Sequence, residues 1–165
     1  FLKLEYNLLR FQEYRYFDVL VNINGQMARS PLFSVEQMSL GGPFSVRAYP
    51  TGAFLADRGV YAGLEFQKQV RGVSMSLFYD YSKGENFKVL ANQPTDVDLQ
   101  GFGVALDFNT VFLPKLRVNV SAAWAYGDDL DIDIGGENVN GLRVFGRGSP
   151  DRRRPMVFSS FTYQL

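Results

Sequence analysis

Arg47 stands in Leu40-Gly41-Gly42-Pro43-Phe44-Ser45-Val46-Arg47-Ala48-Tyr49-Pro50. A stretch so rich in Gly and Pro forms no regular element, and a loop of this length is either functional or disordered. An arginine inside it needs water or a carboxylate. Two acids further along the chain are placed to serve: Asp80 in Phe78-Tyr79-Asp80-Tyr81, and Glu65 in Leu64-Glu65-Phe66. The chemistry these residues offer is a charge-assisted brace between a loop and a strand. Bond-making chemistry is not expected. The chain contains no histidine and no cysteine, which removes Ser-His-Asp and Cys-His catalysis, imidazole acid/base work and nearly all zinc sites.

Other polar clusters carry less. Asp128, Asp129, Asp131, Asp133 and Glu137 form an acidic segment whose spacing suggests a calcium loop. Ile134 and Asn140 occupy the places where an EF-hand needs Gly and Glu, so the reading is a solvated loop and no metal. Arg152-Arg153-Arg154 offers charge-assisted bonds to lipopolysaccharide phosphates, or is simply solvated. Asn119-Val120-Ser121 matches a glycosylation triplet but lies inside a predicted strand. No phosphate-binding loop is present, so no nucleotide or other cofactor is expected. A net charge of zero leaves no basic footprint for nucleic acid.

The elements that must position Arg47 and its acids follow from two-residue alternation. In 116–126, Leu116, Val118, Val120, Ala122, Trp124 and Tyr126 share one face, opposite Arg117, Asn119, Ser121, Ala123 and Ala125. Segment 73–81 sets Val73, Met75, Leu77, Tyr79 and Tyr81 against Ser74, Ser76, Phe78 and Asp80. Segments 17–24, 60–67 and 102–109 alternate in the same way, and 2–8 and 157–165 do so less strictly. In 60–67 the face opposite Leu64 and Phe66 carries Glu65, so both acids lie on polar faces.

Most of these seven predicted strands are close to the ~9–11 residues that cross a bilayer at a tilt. No apolar run approaches the ~18 residues of a membrane helix, but membrane barrels leave a weak hydropathy signal. Connections alternate between short (13–15, 70–72, 110–115) and long (29–57, 82–96, 127–155). Short turns on one side and long loops on the other are the layout of outer-membrane barrels. Aromatics make up 15% of the chain, and Tyr81, Trp124, Tyr126 and Tyr163 fall at strand ends, where interfacial girdles sit. A soluble antiparallel sandwich also alternates, but it does not require this loop pattern. The fold class expected is therefore all-β: an antiparallel transmembrane β-barrel, with residues 1–165 as one barrel segment and a long in-folding loop at about 29–57. Seven strands do not close a bacterial barrel, whose count is even, and lipid tolerates no open edge. The remaining strands are expected from a preceding part of a longer protein or from another chain.

The run from Ser34 through Pro50, then Asp57-Arg58-Gly59 and Leu64-Glu65-Phe66, resembles the outer-membrane transporters of two-partner secretion, the haemolysin secretion/activation family. Val46, Arg47, Ala48 and Tyr49 match that family's V-R-G-Y/F loop motif. Phe78-Tyr79-Asp80-Tyr81-Ser82 matches its F-x-D-x-G strand, whose acid faces the lumen and meets the loop arginine. The resemblance implies a sixteen-stranded barrel of which this chain holds the last seven strands, preceded by periplasmic domains that receive a client. Ala48 and Ser82 replace the two family glycines. Alanine disfavours positive φ, so a strained or reshaped loop tip is expected. Phe161, Tyr163 and Leu165 share one face of the final strand and resemble the C-terminal signal read by the barrel-assembly machinery, with Leu165 in place of the usual aromatic.

The resemblance implies a non-enzymatic translocase in the Gram-negative outer membrane that exports an unfolded adhesin or cytolysin. Membrane lipid, lipopolysaccharide and the assembly machinery are its other expected partners. The rival readings are a barrel insertase of the same superfamily and a passive porin or structural barrel, which needs no Arg47–Asp80 pair.

Overall fold

The computed structural model describes residues 2–87, 95–109, 116–126 and 155–163. Among them the regular elements are all strands: β1 (Lys3–Glu13), β2 (Asp18–Ala28), β3 (Met38–Leu40), β4 (Phe54–Ala56), β5 (Arg58–Val70), β6 (Val73–Glu85), β7 (Asp96–Asn109), β8 (Leu116–Tyr126) and β9 (Met156–Tyr163). Seven of them form one antiparallel sheet in the order β1-β2-β5-β6-β7-β8-β9, with β3 and β4 paired as a separate small hairpin. No helix among the described residues is long and apolar enough to cross a membrane.

The strands run longer than alternation alone predicts. β6 continues to Glu85 and β7 begins at Asp96, so the connection expected over 82–96 shrinks to 86–95. The reason lies in polarity. Within 73–81 and 102–108 the outer face is apolar. Beyond Tyr81 and before Phe102 it carries Lys83, Glu85, Asp96, Asp98 and Gln100, while Val97 and Leu99 on the inner face are buried. There the ladder has left the hydrocarbon layer, and its inner face is covered by the long loop. The contrast that marks a membrane strand reverses, and a pattern search stops. β1 likewise reaches Glu13, because its ladder with β2 continues to Glu13 opposite Asp18, although Leu9 and Phe11 fall on the inner face and break the alternation. The first turn is accordingly 14–17 rather than 13–15. The loop at 29–57 is not wholly irregular either: Met38–Leu40 pairs with Phe54–Ala56.

Register is set by turns. Arg71 (φ 51°) and Gly72 (φ 86°) close β5 onto β6 as a two-residue hairpin, the left-handed geometry that matches strand twist. That turn puts Val70 opposite Val73, and therefore Gly63 opposite Asp80 and Glu65 opposite Phe78. A slip of one residue would send Asp80 to the outer face.

Inner and outer faces differ in what covers them. Leu4, Leu8, Phe66, Met75, Leu77, Tyr79, Phe102, Val104 and Phe161 are exposed on the outer face. Val118 is buried there, flanked in the ladder by Phe108 and Phe161. A sheet cannot leave so continuous an apolar face in water, and a transmembrane barrel turns such a face to the bilayer. The protein's packed core lies on the other side. Leu40, Val46, Ala48, Tyr49, Phe54 and Ala56 of the loop pack against Tyr61, Phe78, Val97, Leu99, Ala105, Ala123 and Ala125 of the wall. The loop is thus folded back onto the lumen face.

Several expectations fall outside the described residues: the connection 110–115, most of 127–155 with its acidic cluster and Arg152–Arg154, and Leu165.

Candidate functional site

The site is built where the re-entrant loop meets β5 and β6. Val46 and Ala48 anchor the loop in the wall, both almost fully buried. Arg47 between them turns toward the strands. Close approach is possible because Gly101 on β7 has no side chain: a Cβ there would stand 2.5 Å from the Ala48 methyl. Positive φ in the loop occurs at Gly41 (91°), Gly42 (99°) and Gly52 (71°), and Ala48 is not among the positive-φ residues. The strain expected from replacing the family glycine at position 48 is therefore absent.

Arg47 is held on four sides. Its Nε donates to Asp80 Oδ2 at 2.8 Å and its Nη2 to Asp80 Oδ1 at 3.0 Å. This is the two-pronged geometry that makes arginine–carboxylate pairs strong. Its backbone N–H donates to Asp80 Oδ2 at 3.1 Å. Nη1 donates to Glu65 Oε2 at 3.0 Å. The guanidinium carbon lies 3.3 Å from the centroid of the Phe78 ring, a cation–π contact in a site shielded from solvent. Tyr61 completes the acid's shell, its hydroxyl donating to Asp80 Oδ1 at 3.0 Å. Asp80 is fully buried, and these donors satisfy both of its carboxylate oxygens.

Asp80 and Glu65, both anticipated as partners of Arg47, are brought to it together. Tyr49, the fourth residue of the loop motif, is buried in the same core. Phe78 and Tyr61 were not anticipated. A signal existed: each is a large ring on a face otherwise made of Gly, Ser, Gln and acids, which means something must cover it. Ser82, in place of the second family glycine, is fully buried on the inner face, and its Oγ has no hydrogen-bond partner among the described residues. Phe161 lies on the exposed outer face of β9. Tyr163 pairs with Leu116 in the backbone ladder, and its side chain and Leu165 lie outside the described residues.

A second set of polar residues fixes the loop's outer half, and it too escaped the sequence reading. Asp57 accepts hydrogen bonds from Leu32 N (2.8 Å), Gln37 Nε2 (3.0 Å) and Phe87 N (2.9 Å). Burial pushes the Asp57 carboxyl up. The bonds from Phe87, Leu32 and Gln37 outweigh burial and hold it below the ordinary aspartate value. Asn86 accepts from Asp57 N and donates to Leu55 O, each at 2.8 Å. Gln26 on β2 donates to Glu36 O at 3.0 Å, and Lys3 on β1 pairs with Glu36 at 2.7 Å. One acid thus ties both ends of the long loop to the next connection. No cluster of metal-ligating residues occurs among the described residues.

A loop arginine braced on a lumen acid, inside an antiparallel membrane sheet, was the arrangement the motifs implied. Residues 3–108 match the family described as haemolysin secretion/activation protein ShlB/FhaC/HecB.

The chain belongs to this family.

Relatives of the ShlB/FhaC/HecB family agree. The heme/hemopexin transporter protein HuxB of Haemophilus influenzae strain 86-028NP is 32% identical over 120 residues, which are 67% of this chain and 21% of that protein. HuxB of Haemophilus influenzae strain Rd is 33% identical over 112 residues, 62% of this chain and 20% of its own length. The chain thus spans about a fifth of the length of these relatives. Among solved structures, CdiB from Acinetobacter baumannii superposes with a TM-score of 0.59 at 16% identity, covering 96% of this chain and 25% of that one. The shared fold is that of a transmembrane barrel, of which the sheet described above is a part. As a ShlB/FhaC/HecB-family protein, the chain is located in the Gram-negative outer membrane.

Proposed function

We propose that residues 1–165 form the last seven strands of a sixteen-stranded two-partner-secretion translocase, which exports an unfolded partner protein through its lumen without nucleotide or cofactor. The observation that carries this reading is the brace itself: Arg47, on a loop packed inside the barrel, is bound to Asp80 and Glu65 of the wall. A passive pore does not need the Arg47–Asp80 pair. A translocase needs an element that occupies the lumen at rest and holds a defined position while a chain passes. The client is a secreted adhesin or cytolysin. The similarity to heme/hemopexin transporters adds a client concerned with haem or hemopexin as a further class. Preceding periplasmic domains receive it, lipid and lipopolysaccharide surround the barrel, and the Phe161/Tyr163/Leu165 ending is read by the barrel-assembly machinery.

The test is Arg47→Ala in the full-length protein, with surface appearance of the partner protein as readout. The expected result is impaired export with the barrel still inserted in the outer membrane. Undiminished export removes the main support for this reading. The barrel-insertase alternative predicts instead that Arg47→Ala lowers the level of other outer-membrane barrels.

A further inference from the structure

The loop that carries Arg47 turns one side to the wall and one side away from it. From Gly41 to Tyr49 every residue is buried or half-buried except Pro43 and Phe44, and Phe44 is 91% exposed. The apex is not loose. Gly42 N donates to Val46 O at 3.2 Å and to Tyr49 O at 2.9 Å, Ser45 N to Gly42 O at 3.1 Å, and Tyr49 N to Val46 O at 3.1 Å. These bonds close the turn on itself, while Val46, Arg47 and Ala48 pin it to the strands. The backbone that carries Phe44 is therefore fixed, while its ring is left uncovered.

The apex surface is uncharged, because Arg47 is consumed by Asp80 and Glu65. Lipid meets the outer face of the sheet, and so would a second barrel; neither reaches this one. Two more exposed apolar side chains share the inner face, Leu9 and Phe11 of β1, toward the short-turn end. Apart from Leu20, half-buried beside Phe11, the inner wall of β2 and β6 offers polar groups such as Asn22, Asn24 and Ser76, which can bond a passing backbone but hold its apolar side chains poorly. A permanent partner would bury a broad surface. A single knuckle makes a small contact suited to a weak, repeated grip.

We infer that the Pro43–Phe44 apex is a contact point for the apolar and aromatic side chains of an unfolded polypeptide moving through the lumen. The inference rests on the translocase reading and gives it a residue that touches the client. Arg47 places this contact, and Phe44 makes it.

The probe is a disordered Gly/Ser/Asn peptide carrying several Phe residues, compared with its Phe→Ser twin. Both are added to the full-length protein in a planar bilayer, and current-blockade times are recorded. In the wild type the Phe peptide should dwell longer than its twin. Phe44→Ala should shorten the Phe-peptide dwell by roughly two- to tenfold, the scale of one aromatic contact, and leave the twin unchanged. Phe44→Trp should preserve the difference. Dwell times indifferent to position 44 overturn this inference alone, whereas absence of blockade by either peptide overturns the translocase reading with it. A photo-reactive benzoylphenylalanine at position 44 separates the remaining occupant. Cross-links to the peptide support the contact, and cross-links only to the protein's own chain, with peptide present, overturn it.

Discussion

Arg47 Nε lies 2.8 Å from Asp80 Oδ2, so a residue of a folded-back loop is bonded to the middle of a membrane strand. The Asp80 carboxylate is fully buried and the Arg47 side chain is 14% exposed. Asp80 draws its compensation chiefly from Arg47, while Arg47 is shared between Asp80 and Glu65, and that asymmetry gives the site its testable consequences.

The two acids should not be equal. Asp80 takes two side-chain bonds and one backbone bond from Arg47 and a fourth from Tyr61, whereas Glu65 takes one from Arg47 and one from Gln67. Asp80→Ala should loosen the loop by about 3–5 kcal/mol, the cost of stranding a buried charge, and Glu65→Gln by about 1 kcal/mol. Hydrogen exchange of the Val46–Tyr49 amides in the full-length protein reads both. Equal effects would contradict the geometry.

Phe78 supplies a π face to Arg47 at 3.3 Å. Phe78→Leu keeps an apolar side chain but removes that face. It should weaken loop docking by about 1–2 kcal/mol, while Phe78→Tyr should retain most of it. The same exchange measurement serves, and a Leu variant with wild-type protection would show that Phe78 is only filler.

Gly101 makes room for the Ala48 methyl. Gly101→Val should push the loop off the wall and cost about 1–3 kcal/mol by overpacking. Adding Ala48→Gly to it should restore part of the loss. Absence of that rescue would place the strain elsewhere.

Asp57 carries a pH signature. Its carboxyl is held below the ordinary aspartate value in the folded loop. Its stabilising effect is therefore complete above the unfolded value of about 3.9 and lost as pH falls through the lower folded value. Protease resistance of the 29–57 loop should exceed that of Asp57→Asn by a constant margin from neutral pH down to about 5. The margin should close only at strongly acidic pH. A margin that closes between pH 6 and 7 would mean another group is responsible.

β1 and β9 are the edges of the sheet, each a row of unsatisfied backbone groups beside an apolar face. Lipid satisfies none of them. Residues 1–165 expressed alone should aggregate or associate through these edges in detergent. Light scattering that found a stable, heat-modifiable monomer would show that the chain closes by itself and would end the sixteen-strand assignment.

The amino-acid sequence by itself determined the strands of the membrane layer and which side of each meets lipid. One-sided contact with hydrocarbon imposes a two-residue period, which β1 breaks at Leu9 and Phe11, and a period is a local property. Asp80 opposite Leu77 and Tyr79, or Arg117 opposite Val118, can be assigned with no neighbour in view. The pairing of Arg47 with Asp80 was legible for a related reason: a buried charge demands an opposite one, and few candidates lay on the right face. What only the tertiary structure decided lies where segments distant in the chain meet. Val97 and Leu99 are inward because a loop covers them above the bilayer, where the local pattern inverts. Tyr61 and Phe78 enclose the ion pair because register aligns β5 with β6. Asp57 became a hub because Leu32, Gln37 and Phe87 converge on it with backbone and side-chain donors, and a backbone N–H is the same at every position in a sequence. Whether alanine at position 48 would disturb the loop depended on its own backbone, which is not in the positive-φ region, and on Gly101 of β7, which leaves room for its methyl. The sequence contains both residues, but only the fold puts them in contact.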